Sequence, residues 1–292
     1  MTSTLAAGPD SGLTRLGGRP TLRRYLPALW GRRHFAIELA RSRFRAQNEE
    51  DRLGIGWTVL GPLINAAVYG LIFGILLPGG TRPPNFVPFL VTGVFIFQFF
   101  ASCFSGGAKA IIGNMGLVRS LHFPRAVLPV SLVIQQLYAL VPVLAVLGLI
   151  VIVFREPVTL RWLTVAPAIA LMSGFNLGVA FLAARLTIHV RDLAQLVPFL
   201  TRIIFYISGI FFSVHKVFTD ASPTTQILQF VMQVQPVHVY ISLVRNAIVE
   251  AEPGGPPYAT AQTWLLGAAW ALGTLLVGFW YFWRAEERYG RE

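Results

Sequence analysis

Residue types that usually carry catalysis are thinly spread in this chain of 292 residues. Its five histidines, His34, His122, His189, His215 and His238, are scattered, and its one cysteine, Cys103, lies inside an apolar run. Neither a metal-ligand spacing nor an intrachain disulfide arises from them. A G-x-x-x-x-G-K-[ST] phosphate cradle and a G-x-S-x-G nucleophile elbow are both absent, which removes P-loop ATP hydrolysis and serine-hydrolase chemistry. Six long apolar runs, 55–77, 86–108, 126–154, 162–184, 193–214 and 264–283, hold no Asp, Glu or His. Carriers driven by protons or sodium ordinarily need a carboxylate at that depth. The short segment 78–85 also lacks a carboxylate, where a membrane glycosyltransferase would want acid catalysis or a bound metal. No catalytic residue and no metal site is expected.

The runs do contain polar stripes. Thr58, Asn65 and Tyr69 are separated by 7 and 4 residues, and Gln195, Arg202, Tyr206 and Ser213 by 7, 4 and 7, so each set shares one helical face. Polar faces of apolar helices either join helices or line a water-filled path. Arg202 favours the path. It sits about 13 Å into its run at 1.5 Å per residue. A central arginine costs at least about 2.5–3.5 kcal/mol on insertion scales, and no run supplies a carboxylate to neutralise it. The stripes point to a transport path without its own energy source.

The elements that must position these residues follow from composition. Hydrophobic residues make up 54% of the chain and charged residues 13%, about half the roughly 25% usual in soluble domains; the mean hydropathy is +0.61. Each apolar run reaches the roughly 20 residues a helix needs to cross a bilayer core, and none alternates as a barrel strand would. The expected fold is an all-α membrane protein with six transmembrane helices. The formal charge of +11 is unevenly placed: 18 Lys and Arg fall in 1–54, the 109–125 and 185–192 loops and the tail, against 5 in the alternate loops. The positive-inside rule then puts both termini in the cytoplasm, and the basicity encodes orientation rather than nucleic-acid binding. No apolar h-region occurs in the first thirty residues, so no cleaved signal is expected. There are no internal repeats.

Residues 1–25 read as a mobile cytoplasmic tail rich in Gly, Ser, Thr and Pro. Over 26–50 a stripe of Leu26, Trp30, Ile37 and Phe44, flanked by Arg33 and Arg41, predicts an amphipathic helix in the membrane interface, in contact with lipid. Its alternative is a cytoplasmic helix packed on the bundle. Residues 51–292 form the six-span domain. The 17-residue loop 109–125, with Met115-Gly116-Leu117-Val118, predicts a short helix that either docks on a cytoplasmic partner or lies on its own bundle. The 215–263 loop holds two apolar pieces, 227–234 and 237–249, separated by Gln235-Pro236. Neither can span, Arg245 interrupts the second, and short re-entrant or interfacial helices before the last span are expected.

Several strings resemble the ABC-2 type permeases of bacterial polysaccharide exporters, the Wzm and TagG kind that move O-antigens, teichoic acids and galactans. They are Leu53-Gly54, Trp57, Leu60 and Pro62; Phe123-Pro124-Arg125 with Leu128-Pro129; and Arg191-Asp192-Leu193 with Pro198 and the aromatic stretch 205–212. The resemblance covers about residues 28–290, and with arginine outnumbering lysine 22 to 2 it is most like an actinobacterial galactan exporter. One position departs from the family pattern: Gly209 stands where a proline usually follows the serine of the fifth span.

The resemblance implies a plasma-membrane homodimer served by two separate cytoplasmic ATPase subunits, which bind ATP and Mg, while this chain binds no cofactor. It also implies a channel between the first and fifth helices of each protomer. Coupling helices would lie in the 109–125 and 185–192 loops, which gives Met115, Gly116, Leu117, Val118, Arg119, Arg191 and Asp192 to the ATPase contact. The cargo would be a lipid-linked polysaccharide exported outward for cell-wall or lipopolysaccharide biogenesis. Phe205, Tyr206, Phe211 and Phe212 would offer apolar ring faces to sugars, or form an ordinary aromatic interface belt. Arg202 would meet diphosphate oxygens. An ABC-2 drug or small-lipid exporter is the alternative within the family, and a membrane glycosyltransferase or acyltransferase the alternative outside it.

Overall fold

The computed structural model describes residues 21–49, 53–76, 83, 85–121, 123–190, 192–214, 222–251 and 255–286. Among the described residues every regular element is helical. Residues 1–20 of the predicted tail 1–25, and Arg191, lie outside them.

The amphipathic segment is two helices, α1 (Leu22–Gly31) and α2 (Arg33–Glu49), rather than one over 26–50. They break at Arg32, whose amide turns back to the carbonyls of Leu29 and Trp30. The side facing the bundle carries Tyr25, Ala36 and Ala40; the small alanines let α2 lie along the third span. Leu26 and Trp30 point away, 51% and 69% exposed, as an interfacial stripe should. Arg33 stacks over the Trp30 ring at 5.4 Å. Phe44 departs from that stripe: it is half-buried, with its ring 6.3 Å from Tyr138.

Among the described residues five helices are long and apolar enough to cross a membrane: α3 (Gly56–Leu76), α4 (Phe86–Lys109), α6 (Val127–Val153), α7 (Val165–His189, extended backward by a 3₁₀ turn at Leu160–Thr164) and α11 (Ala261–Arg284). Between α4 and α6, Met115–Ser120 forms the short α5. Helix α4 is the centre of the bundle and is buried along most of its length, whereas the side chains of α3 are largely exposed. Helices α7 and α11 run side by side, where Arg185 stacks on the Tyr281 ring at 3.6 Å and donates to the Tyr281 carbonyl.

The fifth apolar run does not form one helix over 193–214. Helix α8 (Leu193–Ile207) has 15 residues, about 22 Å at 1.5 Å per residue, short of a hydrocarbon core of about 30 Å. It stops because Gly209 takes a φ of +62°, a left-handed turn open to glycine and closed to proline, whose ring holds φ near −65°. Helices α9 (Pro223–Val234) and α10 (Pro236–Ile248) then meet at 72°. Each begins on a proline, and Gln235 caps α10 by accepting from the His238 amide at 2.8 Å.

Chain direction fixes which ends meet. The Tyr25 hydroxyl donates to Glu286 Oε2 at 2.9 Å, and the Arg125 amide to Glu286 Oε1 at 2.9 Å. The start of α1, the start of α6 and the end of α11 therefore share one end of the bundle. Burial pushes the Glu286 carboxyl up from the usual range, against the opposing pull of those two donors and of the Arg125 charge. At the other end Glu156, also pushed up by burial, accepts from the Glu250 amide at 2.8 Å.

Candidate functional site

A cavity of about 520 Å³ opens among α3, α4, α6 and α8. From α3 come Asn65 and Tyr69, one turn apart. Gln98, Ser102 and Ser105, spaced 4 and 3 on α4, share a face, and α6 adds Gln136. Helix α8 contributes Pro198, Thr201, Arg202 and Phe205. A second cavity of about 330 Å³ adjoins it and shares Asn65, Gln98, Ser102 and Gln136. It extends past Thr58 and Trp57 to Phe44, Gln47 and Asn48 of α2. Asn48 Oδ1 accepts from the Thr58 hydroxyl at 3.2 Å, and Gln47 Oε1 from the Gln135 amide at 3.2 Å, so the amphipathic helix is joined to the cavity wall by polar side chains.

This wall has one permanent positive charge, Arg202, and no lining carboxylate. Amides and hydroxyls supply both donors and acceptors, which suits hydroxyl-rich ligands, while the exposed guanidinium suits an anionic group. Rings back the cavity: Tyr69 and Phe205 stand 5.1 Å apart, and Phe211 packs on both at 5.3 and 5.2 Å.

Of the residues expected to line a path, Asn65, Tyr69, Arg202 and Phe205 converge on the larger cavity and Thr58 on the smaller. Gln195 and Tyr206 are exposed on α8 but line neither. Phe211 is 1% exposed, stacked on Phe73 at 4.1 Å, so it buttresses the wall instead of presenting a face; Phe212 is half-buried. The left-handed turn at Gly209 is what carries Phe211 inward.

At the opposite end, the segment 109–125 is split between surface and core. Gly116 and Arg119 are exposed and Met115 and Leu117 half-buried, but Val118 is turned into the bundle, in a cluster with Ile111, Ala126 and Phe282. Val118 therefore is not part of the presented surface. Asp192 is exposed. Arg43 of α2 donates to Asn114 Oδ1, tying this segment to the amphipathic helix.

Arg245 is the residue that sequence reasoning misplaced. Read only as an interruption of a short re-entrant or interfacial helix, it is 2% exposed inside α10 and donates to three backbone carbonyls. The missed signal was periodicity: Gln235, His238, Ser242 and Arg245 are spaced 3, 4 and 3, a polar face on one helix.

Residues 38–249 match the family described as ABC-2 type transporter, which is most of the chain. The chain belongs to that family. Curated relatives agree in kind. An O-antigen export system permease protein RfbA of Klebsiella pneumoniae is 28% identical over 170 residues, 58% of this chain and 65% of that protein. A second RfbA of that organism is 29% identical over 162 residues, 55% and 61% of the two chains. The RfbA of Myxococcus xanthus is 25% identical over 234 residues, 79% of this chain and 88% of that one. The match thus spans under two thirds of the two Klebsiella proteins' length. Membership makes this an ABC-2 type transporter protein, embedded in a membrane by its apolar helices.

Proposed function

We propose that this chain is the permease subunit of an ATP-driven exporter that moves a lipid-linked polysaccharide outward across a bacterial plasma membrane. The observation that carries the reading is the similarity to three O-antigen export permeases, one of them over 79% of this chain. Two copies of the chain, with two cytoplasmic ATPase subunits holding ATP and Mg, make the working unit. Both termini face the cytoplasm, where the basic loops lie. The adjoining cavities support a path that starts beside α2, runs past Asn65, Gln98, Ser102 and Gln136, and reaches Arg202 and Tyr69. The exposed sides of α3 and α8 face the second protomer, which completes the channel. Met115, Gly116, Leu117, Arg119 and Asp192 offer the ATPase its contact, joined by Arg191.

Depletion of the chain in its native host tests this reading. The expected outcome is a polymer on a polyprenyl diphosphate carrier accumulating inside the membrane barrier, with an ATPase copurifying with the tagged permease. Normal surface polymer after depletion would reject it.

A further inference from the structure

Non-helical backbone at membrane depth has no water to satisfy it and is tolerated only where protein does so. The turn Ser208–Gly209–Ile210 is such a segment, and α10 meets it with its polar face. Gln235 exchanges a hydrogen bond with the Ser208 hydroxyl at 3.1 Å. His238 Nδ1 donates to the Ser208 carbonyl at 3.0 Å, and its Nε2 lies 3.2 Å from the Ser242 hydroxyl. Arg245 completes the set. Its Nη1 donates to the Gly209 carbonyl at 2.8 Å and its Nη2 to the Ile210 carbonyl at 3.0 Å. Nε and Nη2 both reach the Phe89 carbonyl at the start of α4, at 3.1 and 3.0 Å, and the guanidinium lies 3.4 Å from the Phe89 ring centroid. Among the described residues no carboxylate pairs with it. A buried arginine whose hydrogen bonds go to three backbone carbonyls uses the planar fork of its guanidinium.

We infer that Arg245 is a positioning residue of the transport cavity, clamping the broken end of α8 to α4 and α10 and thereby setting the aromatic wall. The link is short: Ile210, held by Arg245, is followed directly by Phe211, which packs on the cavity-lining Tyr69 and Phe205. Because the re-entrant pair and the end of α8 share one clamp, they move together. That the cavity is the transport path rests on the function proposed above; the clamp itself does not.

Local maleimide labelling in membranes bearing the full chain separates these questions. Ser208 is fully buried and nearly isosteric with cysteine, and native Cys103, also fully buried, serves as an internal control. In Ser208→Cys chains, Arg245→Lys keeps the charge but loses the fork. It is expected to speed labelling at position 208 by roughly tenfold, the scale of losing one charge-assisted hydrogen bond, with Cys103 still unreactive. Gly93→Ala is expected to act the same way with Arg245 left in the sequence, because its Cβ would stand 2.5 Å from Arg245 Nη2 and 3.1 Å from Ile210 Cγ2 and push the fork off the turn. If Arg245→Lys fails to accumulate, Gly93→Ala decides alone. Equal acceleration at both cysteines would make Arg245 a general support of the bundle, and unchanged labelling at 208 would dismiss the clamp; either overturns the inference. The labelling pattern needs no cargo, so absence of polymer export by the wild-type chain would fail the function and leave the clamp standing.

Discussion

Arg202 and Arg245 show what a single arginine in an apolar surround can mean. Among the described residues neither pairs with a carboxylate, but Arg245 spends its donors on carbonyls while Arg202 stands open at a cavity of about 520 Å³. For Arg202 the expected consequence is anion handling, since its fork matches phosphate oxygens. Arg202→Gln should retain assembly and basal ATP hydrolysis of the reconstituted complex while lowering polymer export by on the order of tenfold, the scale of one charged hydrogen bond. Arg202→Lys should recover part of that loss, because a point charge still attracts phosphate. Loss of dimer assembly in the glutamine variant would make the arginine structural. Asn65 and Tyr69 share the face that their spacing of 4 predicts, whereas Arg202 lines the cavity without its stripe partners Gln195 and Tyr206. Gln98, Ser102 and Gln136 were not singled out: Gln98, Ser102 and Ser105 share a face by spacing but carry no charge to mark it, and Gln136 joins them only when α6 packs alongside.

At the scale of elements, apolar runs gave the long helices, because hydropathy is a sum over 20 residues and tolerates local error. Breaks are decided by one residue and were harder to place. The end of α8 depends on the left-handed φ of Gly209, and the division of α1 from α2 on Arg32. Direction within a short helix was not legible at all: in Met115–Ser120 every apolar residue looked available for docking, yet packing against Ile111 and Ala126 takes Val118 inward. The two kinds of residue should therefore respond differently. Met115→Asp with Arg119→Glu should abolish copurification of the ATPase while the permease itself stays as heat-stable as before. Val118→Ala should keep the partner but destabilise the permease by on the order of 1 kcal/mol, the cost of removing buried methyls, read as a lower unfolding midpoint in detergent. Retention of the ATPase by the double variant would remove this segment from the coupling surface.

The whole molecule turns on how the chain gets from the end of α7 to the start of α11. These two helices run in the same direction, with Arg185 bonded to Tyr281, so one crossing must separate them. Helix α8 makes it: it starts three residues after α7 ends, and its last turn is clamped beside Phe89 at the far end of α4. Helix α10 ends there, where the Glu250 amide meets Glu156. The bend between α9 and α10 dips inward, since Trp270 Nε1 donates to the Val234 carbonyl at 2.9 Å, and Trp270 lies about 14 Å along α11 at 1.5 Å per residue. Halfway is re-entrant, not spanning. The Tyr25–Glu286 hydrogen bond closes the argument, because it requires the N-terminal helix and the end of α11 to share a side. Reporter fusions after Gly80, Glu156 and Gly254 should then read as external, and fusions after Met115, Arg191 and Glu292 as cytoplasmic, by the charge bias of the loops. A cytoplasmic signal after Gly254 together with an external C-terminus would mean that the bent pair crosses completely, and would break the six-crossing topology. Inversion of all six signals would instead preserve the fold and overturn only its orientation, which rests on 18 basic residues on one side against 5 on the other.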